Sequence, residues 1–145
     1  MDASKRIAIN ITHNFNEREY SRKNLEKYFV FVNTIEYLIF QENICGIGDA
    51  SLDSILDSII KCSRGRVKNK EWIRRWITEL KYMGLIQCVE GKEIRIKLTE
   101  PGKRSYREQL FQSIYANLLN AKDSRRLSII AILIAVADVV LSLFH

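Results

Sequence analysis

The chain has 145 residues, enough for one domain with a sizeable hydrophobic core and an appended segment. Lysine and arginine outnumber aspartate and glutamate by 23 to 17, and the formal net charge of +6 favours partners with negative surfaces. The sequence carries no catalytic or phosphate-binding motif, so we expect neither an enzyme nor a cofactor.

Residues 1–23 are predicted to form an N-terminal arm. Ile7, Ile9 and Ile11 alternate with small or polar residues, a pattern typical of a short strand or an extended segment. The polar residues from 14 to 23 are predicted to be a loop. The first residues are charged and lack an apolar stretch, so no secretory signal is expected.

Two helices are predicted next. Apolar residues at helical spacing predict a helix over residues 24–41, and further apolar residues on its other faces indicate burial on several sides, in a core or between two protomers. The glycine-containing residues 46–49 end this helix. A shorter helix with one apolar face is predicted over residues 51–60.

The next predicted helix, over residues 69–83, has the clearest division into an apolar and a polar face. Its apolar residues recur at three- and four-residue spacing and form one stripe that we expect to face the core. They are Ile73, Trp76, Ile77, Leu80 and Met83. Between residues 61 and 75, seven basic residues stand against one acidic residue, a local excess equal to the net charge of the whole chain.

A β-hairpin and another helix are predicted after Gly84. Gly84 can adopt the left-handed conformation that closes a helix. Apolar and polar residues alternate over residues 86–88 and 94–98, as in two half-buried strands joined by a tight turn at Glu90-Gly91. Thr99 then caps a helix that is predicted to run to about residue 121, with a proline tolerated in its first turn.

This order of elements resembles a winged helix-turn-helix, and two motifs add to the resemblance. Leu80-Lys81-Tyr82-Met83-Gly84-Leu85-Ile86 resembles the end of the recognition helix in MarR-like and PadR-like regulators. Leu98-Thr99-Glu100-Pro101-Gly102-Lys103 resembles their junction between the wing and the last helix. The predicted fold class is therefore mainly α, with three helices and a β-hairpin wing over residues 24–121, including a long closing helix.

The resemblance implies a transcriptional regulator that binds double-stranded DNA as a homodimer. In such a domain one helix enters the major groove and the hairpin lies beside the neighbouring backbone. The implied DNA-binding residues are Arg64, Arg66, Lys68, Asn69, Lys70, Arg74, Arg75 and Thr78 on or before the helix, with Lys92 and Arg95 on the wing. Two alternatives are a solvated basic surface and a non-catalytic protein-interaction or adaptor module with the same fold.

A terminal hydrophobic helix is predicted over residues 127–145, after a basic linker at residues 122–126. Only three of the 18 residues from 127 to 144 are polar. A length of 18 residues is at the short end of what a helix needs to cross a bilayer. Because one of the three polar residues is a near-central aspartate, insertion is favoured by only on the order of 1–3 kcal/mol. We interpret the segment as a tail anchor, with a soluble dimerisation helix as the alternative.

The basic residues before this segment predict a single-pass protein of the cell membrane with its N-terminal domain in the cytoplasm. Without an anchor, the whole protein is expected to be cytoplasmic. An anchor would also bring the basic residues near anionic lipid headgroups, which attract lysine and arginine.

Small and polar residues form a single stripe along the terminal helix. They are Ser128, Ala131, Ala135, Asp138 and Ser142. In a membrane this stripe is expected to be the helix–helix contact face, and in water the exposed edge of a helix buried in a dimer. Both interpretations predict self-association.

Cysteines and histidines give no sign of a disulfide framework or a metal site. Cys45, Cys62 and Cys88 are odd in number and lack CxxC spacing, so we interpret them as small buried side chains. Neither His13 nor His145 neighbours other ligands at metal-binding spacing.

Overall fold

The computed structural model describes the backbone of residues 3–89 and 91–143, and the side chains of residue 19, residues 22–89 and residues 91–134. The described part is mainly helical and includes a small antiparallel sheet with the strand order β1-β3-β2. The elements are α1 Ala3–Asn43, β1 Asp49–Ser51, α2 Leu52–Ser63, α3 Lys70–Tyr82, β2 Ile86–Val89, β3 Arg95–Leu98, α4 Glu100–Arg107 and α5 Leu110–Leu143.

Helix α1 contradicts the predicted N-terminal arm. It runs without a break from Ala3 to Asn43, through the predicted strand and loop and across the predicted boundary at residue 23. No glycine or proline occurs before Gly46, so nothing in the sequence interrupts a helix. The polar stretch also supplies ion pairs one helical turn apart, Lys23 with Glu19 and Arg22 with Glu26, which favour a helix over a loop.

The core lies where the second half of α1 meets α2, α3, α5 and the sheet. The largest fully buried apolar side chains are Phe31, Ile35, Ile55, Leu56, Ile59, Ile73, Leu80 and Ile96. Val30, Phe31 and Val32 are all buried although they are consecutive in α1. The predicted burial of this helix on several sides is therefore confirmed, within the chain itself.

Aromatic and ionic contacts at the edge of the core fix α1 against the other helices. The rings of Phe31 on α1 and Phe111 on α5 meet edge to face, with centroids 5.3 Å apart. Ion pairs join Lys27 of α1 to Glu79 of α3, and Glu42 of α1 to Lys103 of α4. The hydrogen bond from Lys103 to the Glu42 carboxylate raises the pKa of that lysine.

Helix α3 follows the prediction closely. Ile73, Trp76, Ile77 and Leu80 are buried, whereas Met83, the C-cap, is 49% exposed and does not belong to the inward stripe. Gly84 closes the helix with a φ of +73°, and its amide donates to the carbonyl of Lys81. The helix thus begins after the N-cap Asn69 and ends before Gly84, both residue types that favour those positions.

The sheet has three strands, of which only the hairpin strands β2 and β3 were predicted. β1 pairs with β3, placing Ala50 opposite Ile96, but three residues carry too little alternation to reveal a strand. Ile86, Ile96 and Leu98 are buried as expected. Ile94 lies before β3 and is 58% exposed, so its predicted inward position is wrong.

The three cysteines are exposed, and their predicted burial is also wrong. Cys45 lies in the turn after α1, and Cys62 lies in the last turn of α2, beside the buried Ser63. Cys88 is on the same face of β2 as Ile86 and is paired with Ile96, but it is exposed.

The closing helix is two helices rather than one. α4 ends at Arg107, and Gln109 adopts a left-handed φ of +52°, which is uncommon for a residue other than glycine. α5 then begins at Leu110 and places Phe111 in the core. It continues without a break to Leu143, so the predicted linker at residues 122–126 and the predicted separate terminal helix are parts of one helix.

Candidate nucleic-acid interface

The connection between α2 and α3, residues 64–69, is held at both ends. Ser63 is buried, and its hydroxyl, which has a single proton, lies 2.8 Å from the carbonyl oxygen of Ile60 and 3.2 Å from that of Val67, within hydrogen-bonding distance of both. Val67 is itself buried. At the other end, the Asn69 side chain caps α3 by accepting from the amides of Glu71 and Trp72. This anchoring fixes where the basic residues of the connection lie.

The residues predicted to contact DNA before and on α3 are all exposed. They are Arg64, Arg66, Lys68, Asn69, Lys70, Arg74, Arg75 and Thr78. Because the stripe from Ile73 to Leu80 is turned into the core, Arg74, Arg75 and Thr78 necessarily face solvent. The structure divides the set, however, since Arg66, Lys68 and Asn69 line a groove toward α1.

Ion pairs neutralise part of this basic surface. Arg74 Nη1 lies 3.0 Å from Glu71 Oε1, and Lys70 Nζ lies 3.3 Å from Asp57 Oδ1. Both pairs are exposed, so each contributes little to stability and can exchange for a phosphate contact. The remaining cations, namely Arg64, Arg66, Lys68 and Arg75, have no acidic partner within 4.0 Å among the described side chains.

Two of the predicted polar contacts are engaged within the helix. The side-chain carbonyl oxygen of Asn69 accepts the two hydrogen bonds of the cap, so only its side-chain NH₂ group remains to donate to a partner. The hydroxyl of Thr78 donates to the carbonyl of Arg74, at 2.9 Å. The charged side chains, rather than these two, therefore dominate what α3 offers to a partner.

The hairpin residues differ in their surroundings. Lys92 is exposed in the connection between β2 and β3. Arg95 donates to Asp49 of β1 with 2.9 Å between Nη2 and Oδ1, and this hydrogen bond raises the pKa of Arg95 and lowers that of Asp49. Lys97, which is exposed two residues further along β3, was not included in the predicted set. Its alternation with the buried Ile96 could have identified it.

The predicted contact face of the terminal helix is only partly described. Ser128 and Ala131 are exposed on α5, and the Ser128 hydroxyl donates to the carbonyl of Ser124. The side chains of Ala135, Asp138 and Ser142 lie outside the described residues. Large apolar side chains are also exposed here, at Leu127, Ile129, Ile130, Ile132, Leu133 and Ile134.

No helix within the described part of the chain combines the length and the apolar character needed to cross a bilayer. The predicted segment extends to residue 144, and its side chains from residue 135 onward are outside that part. Among the described residues, no three side chains of histidine, cysteine, aspartate or glutamate come together as a metal site.

No protein-family model, curated protein or solved structure matches this chain. A functional proposal therefore depends on the residues and geometry of the chain itself. What that geometry offers is an exposed cationic surface on α3 and its preceding connection, beside a short hairpin.

Proposed function

We propose that the protein is a non-catalytic winged-helix protein that binds double-stranded DNA as a homodimer and regulates transcription. One observation carries the proposal: α3 has a fully buried apolar face and an opposite exposed face that bears Arg74 and Arg75. A polyanion is the natural partner of such a face, because phosphate contacts to lysine and arginine supply most non-specific DNA affinity.

The order of the elements supports the winged-helix assignment. Two helices, α2 and α3, are followed directly by the β2–β3 hairpin, and β1 completes the sheet on the far side of β3. In winged helices the third helix enters the major groove and the hairpin approaches the adjacent backbone. Here Lys92 lies in the hairpin connection, where a phosphate contact is expected.

A protein-interaction or adaptor role is the second candidate, and the ion pairs favour it. Arg95 is held by Asp49, Arg74 lies beside Glu71 and Lys70 beside Asp57, so three of the cations that DNA would need have acidic neighbours. A mixture of both charges on one surface is suited to a protein partner as well as to a nucleic acid.

Salt dependence of DNA binding distinguishes the two candidates. The full chain, in a mild detergent that is kept constant, is titrated into a fluorescent random-sequence duplex at 50 and 200 mM salt. With about five phosphate contacts, each contributing about −0.9 to the slope of log K against log salt, affinity is expected to fall by about 500-fold. Absence of binding at 50 mM salt would contradict the regulator and favour the adaptor.

We also propose that residues 127–144 attach the protein to the cell membrane, with the N-terminal domain in the cytoplasm. The proposal is supported by the apolar side chains between Leu127 and Ile134, which are exposed on several sides of α5, and by Lys122, Arg125 and Arg126 just before them.

Cell fractionation tests the anchor. The full chain is expected in the carbonate-washed membrane pellet, because its apolar segment is held by lipid and not by charge. A chain that ends at Arg126 keeps the basic residues and is expected in the supernatant. Recovery of the full chain in the carbonate supernatant would exclude the anchor and leave the dimerisation helix.

A further inference from the structure

A groove of about 520 Å³ lies between α1, the 64–69 connection and the start of α3. A second cavity of about 380 Å³ continues from it toward α5 and shares Arg22, Glu26 and residues 65–67 as its wall. A volume of this size is typical of sites for small organic molecules. The groove lies along the edge of α3 that bears the buried Trp76 and the partly exposed Trp72, and Trp72 borders the outward face through its contact with Arg75.

The floor of the groove is aromatic. Trp72 and Trp76 both line it, with ring centroids 5.9 Å apart. Trp76 is buried, whereas Trp72 is 37% exposed and presents part of its ring to the groove. The Lys23 ammonium lies 5.5 Å from the centroid of Trp72 and makes a cation–π contact with that ring.

The walls of the groove carry an excess of positive charge. Arg22 and Lys23 are paired with Glu26 and Glu19 on α1, so these four residues neutralise one another. Arg66 and Lys68 remain without an acidic partner within 4.0 Å among the described side chains.

Lys68 is held close to the groove wall. Its Cε lies 3.4 Å from the position that a Cβ on Gly65 would occupy, so the lysine folds back across this glycine. Gly65 itself has a φ of +81° and belongs to the same wall. Arg66 and Lys68 are both exposed, and both line the same groove as the two tryptophans.

We propose that this groove binds a nucleotide, with the base stacked on Trp72 and the phosphate bound by Arg66 and Lys68. The base takes the position above the indole that the Lys23 ammonium now occupies, and stacking on an aromatic ring suits any nucleobase. The arginine offers a planar, two-pronged donor to phosphate, and the lysine adds a point charge. A ligand with both a ring and an anion uses the floor and the wall together.

Intrinsic fluorescence tests the nucleotide site directly, because the two tryptophans of the chain both line the groove. The full chain in mild detergent is titrated with ADP, with adenosine and with inorganic phosphate, under excitation at a wavelength that adenine does not absorb. ADP is expected to quench the fluorescence and to bind at least about 10-fold more tightly than either fragment. Equal affinity for adenosine and ADP, or no quenching by millimolar ADP, would overturn the proposal.

Variants assign the two halves of the ligand, with binding measured by calorimetry. Arg66→Ala combined with Lys68→Ala is expected to weaken ADP binding at least about 10-fold and to leave adenosine unaffected. Trp72→Leu is expected to weaken the binding of both ADP and adenosine. Trp72→Phe, which keeps an aromatic ring, is expected to retain most of the affinity for both. The matched control is Lys81→Ala with Arg104→Ala, which removes two exposed cations outside the groove. An equal loss in this control would overturn the assignment to the groove.

Discussion

Replacing both Arg74 and Arg75 by glutamate is expected to reduce affinity for duplex DNA by at least about 100-fold. Both side chains lie on the exposed face of α3, and the double change turns two attractive charges into two repulsive ones. A hydrogen bond to a charged group is worth about 1.5–3 kcal/mol, so losing two such contacts already accounts for this factor. The measurement is the electrophoretic mobility of a duplex at low salt.

The fold is expected to survive this double substitution. In the described structure Arg74 contacts only the exposed Glu71 through its charge, and Arg75 lies 5.5 Å from the ring centroid of Trp72. Neither arginine is buried, so circular dichroism and the unfolding midpoint should change little. A normally folded variant that binds DNA with unchanged affinity would exclude α3 as the interface.

A matched control separates local contact from net charge. Arg104→Glu with Arg107→Glu makes the same change of net charge on α4, where both side chains are exposed. Long-range attraction is screened within about 8 Å at physiological salt, so this variant should lose only a small part of the affinity. Equal losses in the two variants would mean that DNA responds to the total charge of the protein.

Gly102→Ala is expected to lower the free energy of unfolding by about 3 kcal/mol. A Cβ at this position would lie 2.1 Å from the carbonyl oxygen of Leu85 and 2.9 Å from Cδ2 of Leu98. The Leu85 carbonyl also accepts the amide of Thr99, the N-cap of α4, so it cannot move without breaking a hydrogen bond. Urea denaturation followed by circular dichroism measures the change.

Gly48→Ala is the matched control for this prediction. The nearest atom to a Cβ at Gly48 is Cε of Lys97 at 4.0 Å, an ordinary contact with the end of a flexible side chain. Its stability is expected to stay within about 0.5 kcal/mol of the parent protein. A Gly102→Ala variant as stable as Gly48→Ala would contradict the prediction. It would mean that the start of α4 packs less closely against the turn between α3 and β2 than the distances indicate.

Gly102 also explains a sequence motif physically. The segment from Leu98 to Lys103 places a strand end, a helix cap and a glycine in close succession. Thr99 accepts the amide of Gly102 through its side chain and donates its hydroxyl to the carbonyl of Gly84. The motif thus joins the end of α3 to the start of α4, and the glycine is required by the close approach of two backbones.

Features that depend on local chemistry could be predicted from the sequence. The stripe of α3, its end at Gly84 and the Thr99 cap each follow from a few neighbouring residues, and the structure confirms them except for Met83 in the stripe. The alternation of Ile96 and Leu98 likewise reports a strand with one buried face. Such patterns are readable because the residues that determine the structure lie within one or two turns of one another.

Features that depend on distant contacts could not be predicted. β1 is ordered by pairing with β3, more than forty residues away in the chain. The left-handed Gln109 is an uncommon conformation for glutamine, and it precedes Phe111, whose ring meets α1. The groove arises because residues 65–68 lie against α1, so neither segment alone reveals its aromatic floor or its basic wall.

The unbroken course of α5 has a mechanical consequence. At 1.5 Å per residue, its 34 residues form a rod about 51 Å long, with Phe111 in the core near one end and the apolar segment at the other. Because this helix has no break, a tilt or rotation of its C-terminal end is expected to move Phe111 relative to Phe31. If the far end is attached to a membrane as proposed, its movement there and the packing of these two aromatic rings are therefore mechanically coupled.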